Sequence, residues 1–86
     1  VLVDFWGPRC VPCMGLMPVV EELSELYAGK MKFTKLNTAE NRRLAIQLKV
    51  MSLPTFQFYK NGELVDQLQG NFGREEIEEK IRAIIG

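Results

Sequence analysis

The opening segment, Val1-Leu2-Val3-Asp4-Phe5-Trp6, restricts the possible folds of this chain more than any other. It is almost continuously apolar, with one carboxylate inside it. A strand with one wet face alternates apolar and polar residues, whereas a near-continuous apolar run belongs to a strand covered on both faces. Such a strand implies paired neighbours and helical layers above and below it. The chain has 86 residues and is 47% hydrophobic, which is enough for one domain, residues 1–86, with a core that needs no staples.

Gly7-Pro8-Arg9 breaks the strand, and a helix is expected from Cys10. Leu16, Val19 or Val20, Leu23 and Leu26 recur at helical spacing, with Glu21, Glu22 and Glu25 on the other face. Pro18 removes one backbone bond within this helix and should kink it, and Gly29 should end it. Met31 to Leu36 reads as a second strand and Ala39 to Leu48 as a short second helix. Thr55 to Tyr59 reads as a third strand with Phe56 and Phe58 on one face. Asn61-Gly62 is a strong hairpin signal, because both turn positions favour positive φ. Glu63 to Gln69 is then the antiparallel return. Beyond Gly70 and Gly73, Ile77, Ile81 and Ile84 mark an amphipathic helix, acidic in its first half and basic later, as the helix dipole favours.

The order β-α-β-α-β-β-α predicts an α/β fold with one four-stranded mixed sheet and helices on both faces. The first two strands should be parallel through a right-handed crossover, and the last two should form an antiparallel hairpin. There is no internal repeat, linker or low-complexity stretch.

Cys10-Val11-Pro12-Cys13 carries the chemistry. Two thiols three positions apart at the start of a helix can close a disulfide and open it again. A thiol at a helix N-terminus faces unpaired N–H groups and the positive end of the dipole. Both favour the thiolate, and neighbouring Arg9 adds a cation, so the Cys10 pKa should fall below the ordinary thiol value. Cys10 is then the attacking nucleophile. Cys13, nearly one turn further in and more buried, would resolve the mixed disulfide. Pro12 stiffens the first turn without costing a needed donor. An inert structural disulfide is the bland alternative, but so small a loop stabilises a fold by only about 2 kcal/mol. A structural zinc site wants four ligands, and this chain offers two Cys and no His. Only a dimer, or an iron–sulfur cluster bridged with outside thiols, would complete a metal site. No metal and no bound cofactor is expected.

Composition narrows the partners. The 11 basic and 11 acidic residues balance, so nothing suggests an electrostatic grip on nucleic acid or on an anionic membrane. No apolar run is long enough to span a bilayer, and two cysteines are too few for a secreted disulfide framework. The chain opens at Val1, without Met and already inside a strand pattern, which suggests a trimmed N-terminus and a lost leader or anchor as one explanation.

Val-Asp-Phe-Trp, Pro-Arg-Cys-Val-Pro-Cys, Met17-Pro18, Lys35-Leu36-Asn37, Leu53-Pro54-Thr55, Lys60-Asn61-Gly62-Glu63 and Gly70 resemble the thioredoxin family in order and spacing, through almost the whole chain. The resemblance implies a minimal thioredoxin fold, lacking the strand and helix that precede the equivalent of Val1 in a full-length member. It implies that Asp4 lies buried behind Cys13, where desolvation raises its pKa and lets it exchange the Cys13 proton. Lys35 matches a lysine near that Asp, or is simply a solvated strand residue. Pro54 matches a cis-proline opposite the cysteines, leaving the Leu53 backbone free to pair with an extended substrate. From residues alone, Pro54 would also pass for a strand-start proline. Trp6 should line the site or else sit in the core. Gly70 should permit close backbone approach near Pro54, or merely end a strand, and Phe72 would add apolar surface.

The chain departs from the family's pattern where Arg9 replaces an aromatic residue, Val11 a glycine, Met14 a basic residue, Ser52-Leu53 a glycine and a β-branched residue, and Ala39 a common aspartate. Those changes bear on partner choice and potential. The expected function is that of an enzyme, a thioredoxin-like protein-disulfide reductase, monomeric and cytoplasmic. Its expected partners are disulfide-containing proteins and a thioredoxin-reductase-type electron donor using NADPH or ferredoxin. An oxidase or isomerase of an oxidising compartment, and a redox-switched binding module, are the alternatives.

Overall fold

In a computed structural model describing all 86 residues, the chain runs β1 (Leu2–Trp6), α1 (Val11–Leu26), β2 (Phe33–Asn37), α2 (Arg42–Gln47), β3 (Thr55–Lys60), β4 (Glu63–Gln69) and α3 (Arg74–Ile85). One sheet takes the order β2-β1-β3-β4. β1 is central, parallel to β2 with Leu2 opposite Phe33, and antiparallel to β3 with Leu2 opposite Phe58. β3 and β4 form the expected hairpin around Asn61 (φ 54°) and Gly62 (φ 81°), with an irregularity in register between Phe58 and Tyr59.

The two faces of the sheet are unequal. On one, Leu2, Phe56 and Phe58 meet Leu16, Val20 and Leu23 of α1, Met31, and Ile77 and Ile81 of α3 in a single buried cluster. Full burial of each such side chain contributes about 1.5–3 kcal/mol, which makes this face the main source of stability. Phe72 packs edge-on against Phe56, with ring centroids 4.9 Å apart, so it thickens this core rather than extending the surface around the cysteines. The opposite face carries Phe5, Thr55 and Gln57, all buried, under the short α2 with its buried Ala45. Gln57 is held there by polar bonds: its Nε2 donates to the Leu48 carbonyl (3.0 Å), and its Oε1 accepts from the Tyr59 hydroxyl (2.6 Å).

Helix boundaries differ from the sequence pattern for local reasons. α1 runs through Pro18 without interruption and stops at Leu26, ahead of Gly29. β2 begins at Phe33, because the Met31 N–H is still bonded to the Tyr27 carbonyl (3.1 Å). α2 begins at Arg42 rather than Ala39, because Asn37 organises the preceding turn. The Asn37 Oδ1 accepts from the Ala39 N–H (2.9 Å), and its carbonyl accepts from the Asn41 side chain (2.9 Å). Such side-chain bonds compete with helix formation. At the start of α3 the Glu76 carboxylate accepts from the Gly73 N–H (2.6 Å). Arg74 bridges to Glu22 of α1 and to Glu78, and the Tyr27 hydroxyl donates to Glu78, joining the two helices of the main core at their solvent edge. No helix is long and apolar enough to cross a membrane.

α2 ends in a Schellman arrangement whose left-handed residue is not glycine. The Lys49 N–H bonds to the Ile46 carbonyl and the Val50 N–H to the Ala45 carbonyl, with Lys49 at φ +62°. A side chain in that conformation costs about 1 kcal/mol, partly offset in a glycine variant by the larger entropy of the unfolded chain. Lys49→Gly is therefore expected to raise stability by about 0.5 kcal/mol, read as a higher urea midpoint at unchanged slope.

Candidate functional site

The site forms where β1 ends. Gly7 to Cys10 is a tight turn closed by the Cys10 N–H on the Gly7 carbonyl (3.0 Å). Gly7 is buried, and a Cβ there would come within 3.1 Å of Leu53 Cδ1, so glycine lets this turn lie directly against the Leu53–Pro54 loop. From the other side, Thr38 donates through both its N–H (2.9 Å) and its hydroxyl (3.1 Å) to the Trp6 carbonyl, docking the β2–α2 connection beside the same strand end.

Cys10 is the N-cap of α1 and is joined to Cys13 in a disulfide, the two Cα atoms 5.2 Å apart. Cys10 Sγ accepts from the Cys13 N–H at 3.2 Å, so the sulfur already occupies the position of a capping acceptor at the helix N-terminus. The two sulfurs are unequal. Cys13 is 1% exposed and lies on the buried stripe of α1 with Leu16, Val20 and Leu23, while Cys10 is partly open. Only the Cys10 side of the pair is therefore open to solvent.

Asp4 sits in the middle of β1 on the face that also carries Leu2 and, through register, Phe56. It is the next residue beyond Leu2 on that face toward the N-terminal end of α1, and it is 1% exposed with an Oδ2 that has no hydrogen-bond partner. Burial pushes its pKa from the usual 3.8 up to about 6, and the cation of Lys35 partly opposes the shift. Lys35 is the register partner of Asp4 across the β1–β2 pair and is itself exposed. The two sequence readings of Lys35 thus coexist: it is solvated, and its charge acts on Asp4.

Arg9, Cys10, Val11, Pro12 and Leu53 line one open groove of about 1010 Å3. Trp6, Pro54 and Gly70 do not line it. Trp6 is half-buried at the end of β1, and Pro54 is buried behind Leu53 with a cis peptide bond between them. The Gly70 N–H donates to the Pro54 carbonyl (3.1 Å), which ties the β4–α3 loop to the proline loop. A Cβ on Gly70 would meet nothing within 4 Å, so close approach is not what calls for glycine there, whereas its φ of +84° is. None of the backbone hydrogen bonds outside the helices and strands involves Leu53.

The groove also takes in Thr38, Ala39, Arg42, Ala45 and Ile46, which sequence reasoning did not assign to the site. Arg42 and Ile46 are four apart and so share a face of α2. That spacing was present in the sequence, but nothing there said which way the helix faces.

Comparison with known proteins agrees with this geometry. The thioredoxin family model matches residues 1–83. The chain is 50% identical over 68 residues to the thioredoxin of Acetoanaerobium sticklandii, covering 79% of this chain and 65% of that protein. It is 44% identical over 85 residues to the chloroplastic M-type thioredoxin of Pisum sativum, covering 99% of this chain and 49% of that protein. Identity to the thioredoxin of Peptoclostridium acidaminophilum is 46% over 87 residues, covering 100% of this chain and 79% of that protein. The chain thus spans about half to four-fifths of the length of these relatives.

The raised pKa of Asp4 has a consequence for stability. Below about pH 4 the carboxyl is neutral in both folded and unfolded chains and imposes no charge penalty. Between about 4 and 6 the folded chain holds the proton that the unfolded chain has lost, so stability falls as pH rises. Above about 6 the full cost of a buried carboxylate, on the order of 3 kcal/mol, is present. Asp4→Asn, which is neutral at every pH, is expected to be more stable than the parent by about 1–3 kcal/mol at pH 7.5, with the gain disappearing near pH 4. Denaturation at a series of pH values checks both sign and window.

Proposed function

The chain belongs to the thioredoxin family, and we propose that it is a protein-disulfide reductase acting by thiol–disulfide exchange through Cys10 and Cys13. The observation that carries this reading is the asymmetry of the pair: one sulfur lies at a helix N-terminus with access to a groove, and the other is buried behind it.

In the proposed cycle both sulfurs begin as thiols. The N–H groups at the start of α1 stabilise the Cys10 thiolate, which attacks a substrate disulfide. A bond forms from Cys10 Sγ to one substrate sulfur, and the other substrate sulfur leaves as a thiolate and takes a proton. Cys13, deprotonated by the Asp4 carboxylate, then attacks Cys10 Sγ. The Cys10–Cys13 bond forms, the mixed disulfide breaks, and the second substrate sulfur leaves as a thiol. The pair has given two electrons, and an external dithiol-delivering reductase restores it. Lys35 acts on this chemistry only through Asp4. Leu53 offers its backbone to an extended substrate segment, while Arg9, Val11 and Pro12 contact it around the sulfur. Trp6, Pro54 and Gly70 support the loops that hold this surface. A reductase needs a supply of reducing equivalents, so the reading places the protein in a reducing compartment of the cytoplasmic kind.

Replacement of the cysteines tests the division of labour. Cys10→Ser is expected to abolish reduction of a protein disulfide, whereas Cys13→Ser should accumulate a mixed disulfide with substrate, seen on non-reducing gels and by mass. Normal turnover by the Cys13 variant would reverse the assigned roles.

If Asp4 is the base for Cys13, the resolving step should accelerate as pH rises through about 6 and the carboxylate forms. In Asp4→Asn that step should be about tenfold or more slower at pH 7, with the inflection gone; single-turnover decay of the mixed disulfide measures it. An unaltered profile would remove Asp4 from the reaction. The direction of electron flow is read from the reduction potential in glutathione buffers. A value near about −270 mV, the potential of thioredoxin, supports a reductase, and about −120 to −180 mV supports an oxidase or isomerase.

A further inference from the structure

The groove beside Cys10 has a charge character that the overall composition hides. The chain as a whole is neutral, with 11 basic and 11 acidic residues. Of the residues lining the groove, only Arg9 and Arg42 are charged, and both are cations. Neither takes part in any of the four ion pairs of the structure, which engage Arg74, Lys80 and Arg82 on α3. Most of the carboxylates lie on α1 and α3. Glu40, the acidic residue closest in sequence to the α2 rim, is exposed, accepts from the Asn37 side chain at 3.1 Å, and does not line the groove. Ala39, which does line it, adds no charge.

The rest of the groove lining is largely apolar. Val11 is 80% exposed and Ile46 69%, with Leu53 half-buried alongside. A segment laid here would place main chain and apolar side chains on these residues, with Arg9 on one side of the reacting sulfur and Arg42 on the α2 rim. An occupant with carboxylates would give both guanidiniums partners that no residue of this chain supplies, and a basic occupant would meet two like charges.

We propose that Arg9 and Arg42 make this protein selective for disulfides held in extended protein segments that carry carboxylates beside the reacting cysteine. This inference rests on the reductase reading above and adds to it a substrate class. The exchange step is unchanged. The arginines act on encounter and on the docked complex, so their effect depends on ionic strength.

The test uses two disulfide-linked peptides that differ only in having Glu or Gln on either side of one cysteine. The reduced protein is mixed with each, and the second-order rate constant is divided by that of an uncharged phosphine, tris(hydroxypropyl)phosphine, on the same peptide, which cancels the intrinsic reactivity of the substrate disulfide without adding a charge of its own. At ~0.01 M ionic strength, where charges are felt over ~30 Å, the Glu peptide is expected to react about fivefold faster than the Gln peptide. At ~1 M salt the ratio should approach one. Arg42→Gln should roughly halve the low-salt ratio, and Arg9→Gln with Arg42→Gln should abolish it. Because each protein is judged by its own Glu-to-Gln ratio, a change in Cys10 reactivity caused by losing Arg9 cancels out. A ratio near one in the parent, a preference for Gln, or a preference that survives the double substitution would overturn the proposal while leaving the reductase reading intact. Failure to reduce either peptide would overturn both.

Discussion

Everything in this domain hangs on β1 being held on four sides. It is hydrogen-bonded to β2 along one edge and to β3 along the other, with α1 and α3 over one face and α2 over the opposite one. Leu2 and Phe5 are both fully buried although they point to opposite faces. A strand confined in this way cannot shift register, because a slip of one residue would exchange the contents of its two faces. Its C-terminal end is therefore a fixed point. The Gly7–Cys10 turn, the Thr38 anchor and the Leu53 loop all gather around it, and a short-range reaction between sulfur atoms depends on that positional constancy.

The same confinement creates the one conspicuous conflict in the core. A carboxyl group on β1 is out of water whichever face it takes, and Asp4 lacks a partner for one of its oxygens. Desolvation pushes its pKa up, and Lys35, too solvated to offset that fully, only softens the shift. A domain this small has little stability to spare. A buried, incompletely satisfied carboxyl is the kind of local cost that folds carry where chemistry is done.

The cysteine turn and the α2 rim contribute to one groove although some 30 residues of chain separate them. Arg9 and Arg42 meet there only because β2 lies beside β1 and because Asn37 delays the start of α2, bringing Thr38 back onto the Trp6 carbonyl. Departures from the family's pattern that are scattered in the chain, Arg9, Val11, Leu53 and Ala39, thereby become neighbours on a single surface.

Much of the molecule was legible in the chain itself. The element order, the parallel and antiparallel pairings and the Asn61–Gly62 hairpin followed from local periodicity and turn chemistry, which depend on neighbouring residues only. Glu63–Gln69 emerged with the bounds its pattern implied, whereas Ala39–Leu48 contracted to Arg42–Gln47 because side-chain bonds from Asn37 outweighed helical pattern. The reactive pair was equally local, since its spacing and its place at a helix start lie within four residues. What the tertiary structure alone decided was company: that Phe72 turns inward to Phe56, that Gly70 is needed for its φ rather than for space, and that Arg42 and Ile46 share a groove with Cys10. Such properties arise from packing between segments distant in sequence, and no local pattern encodes them.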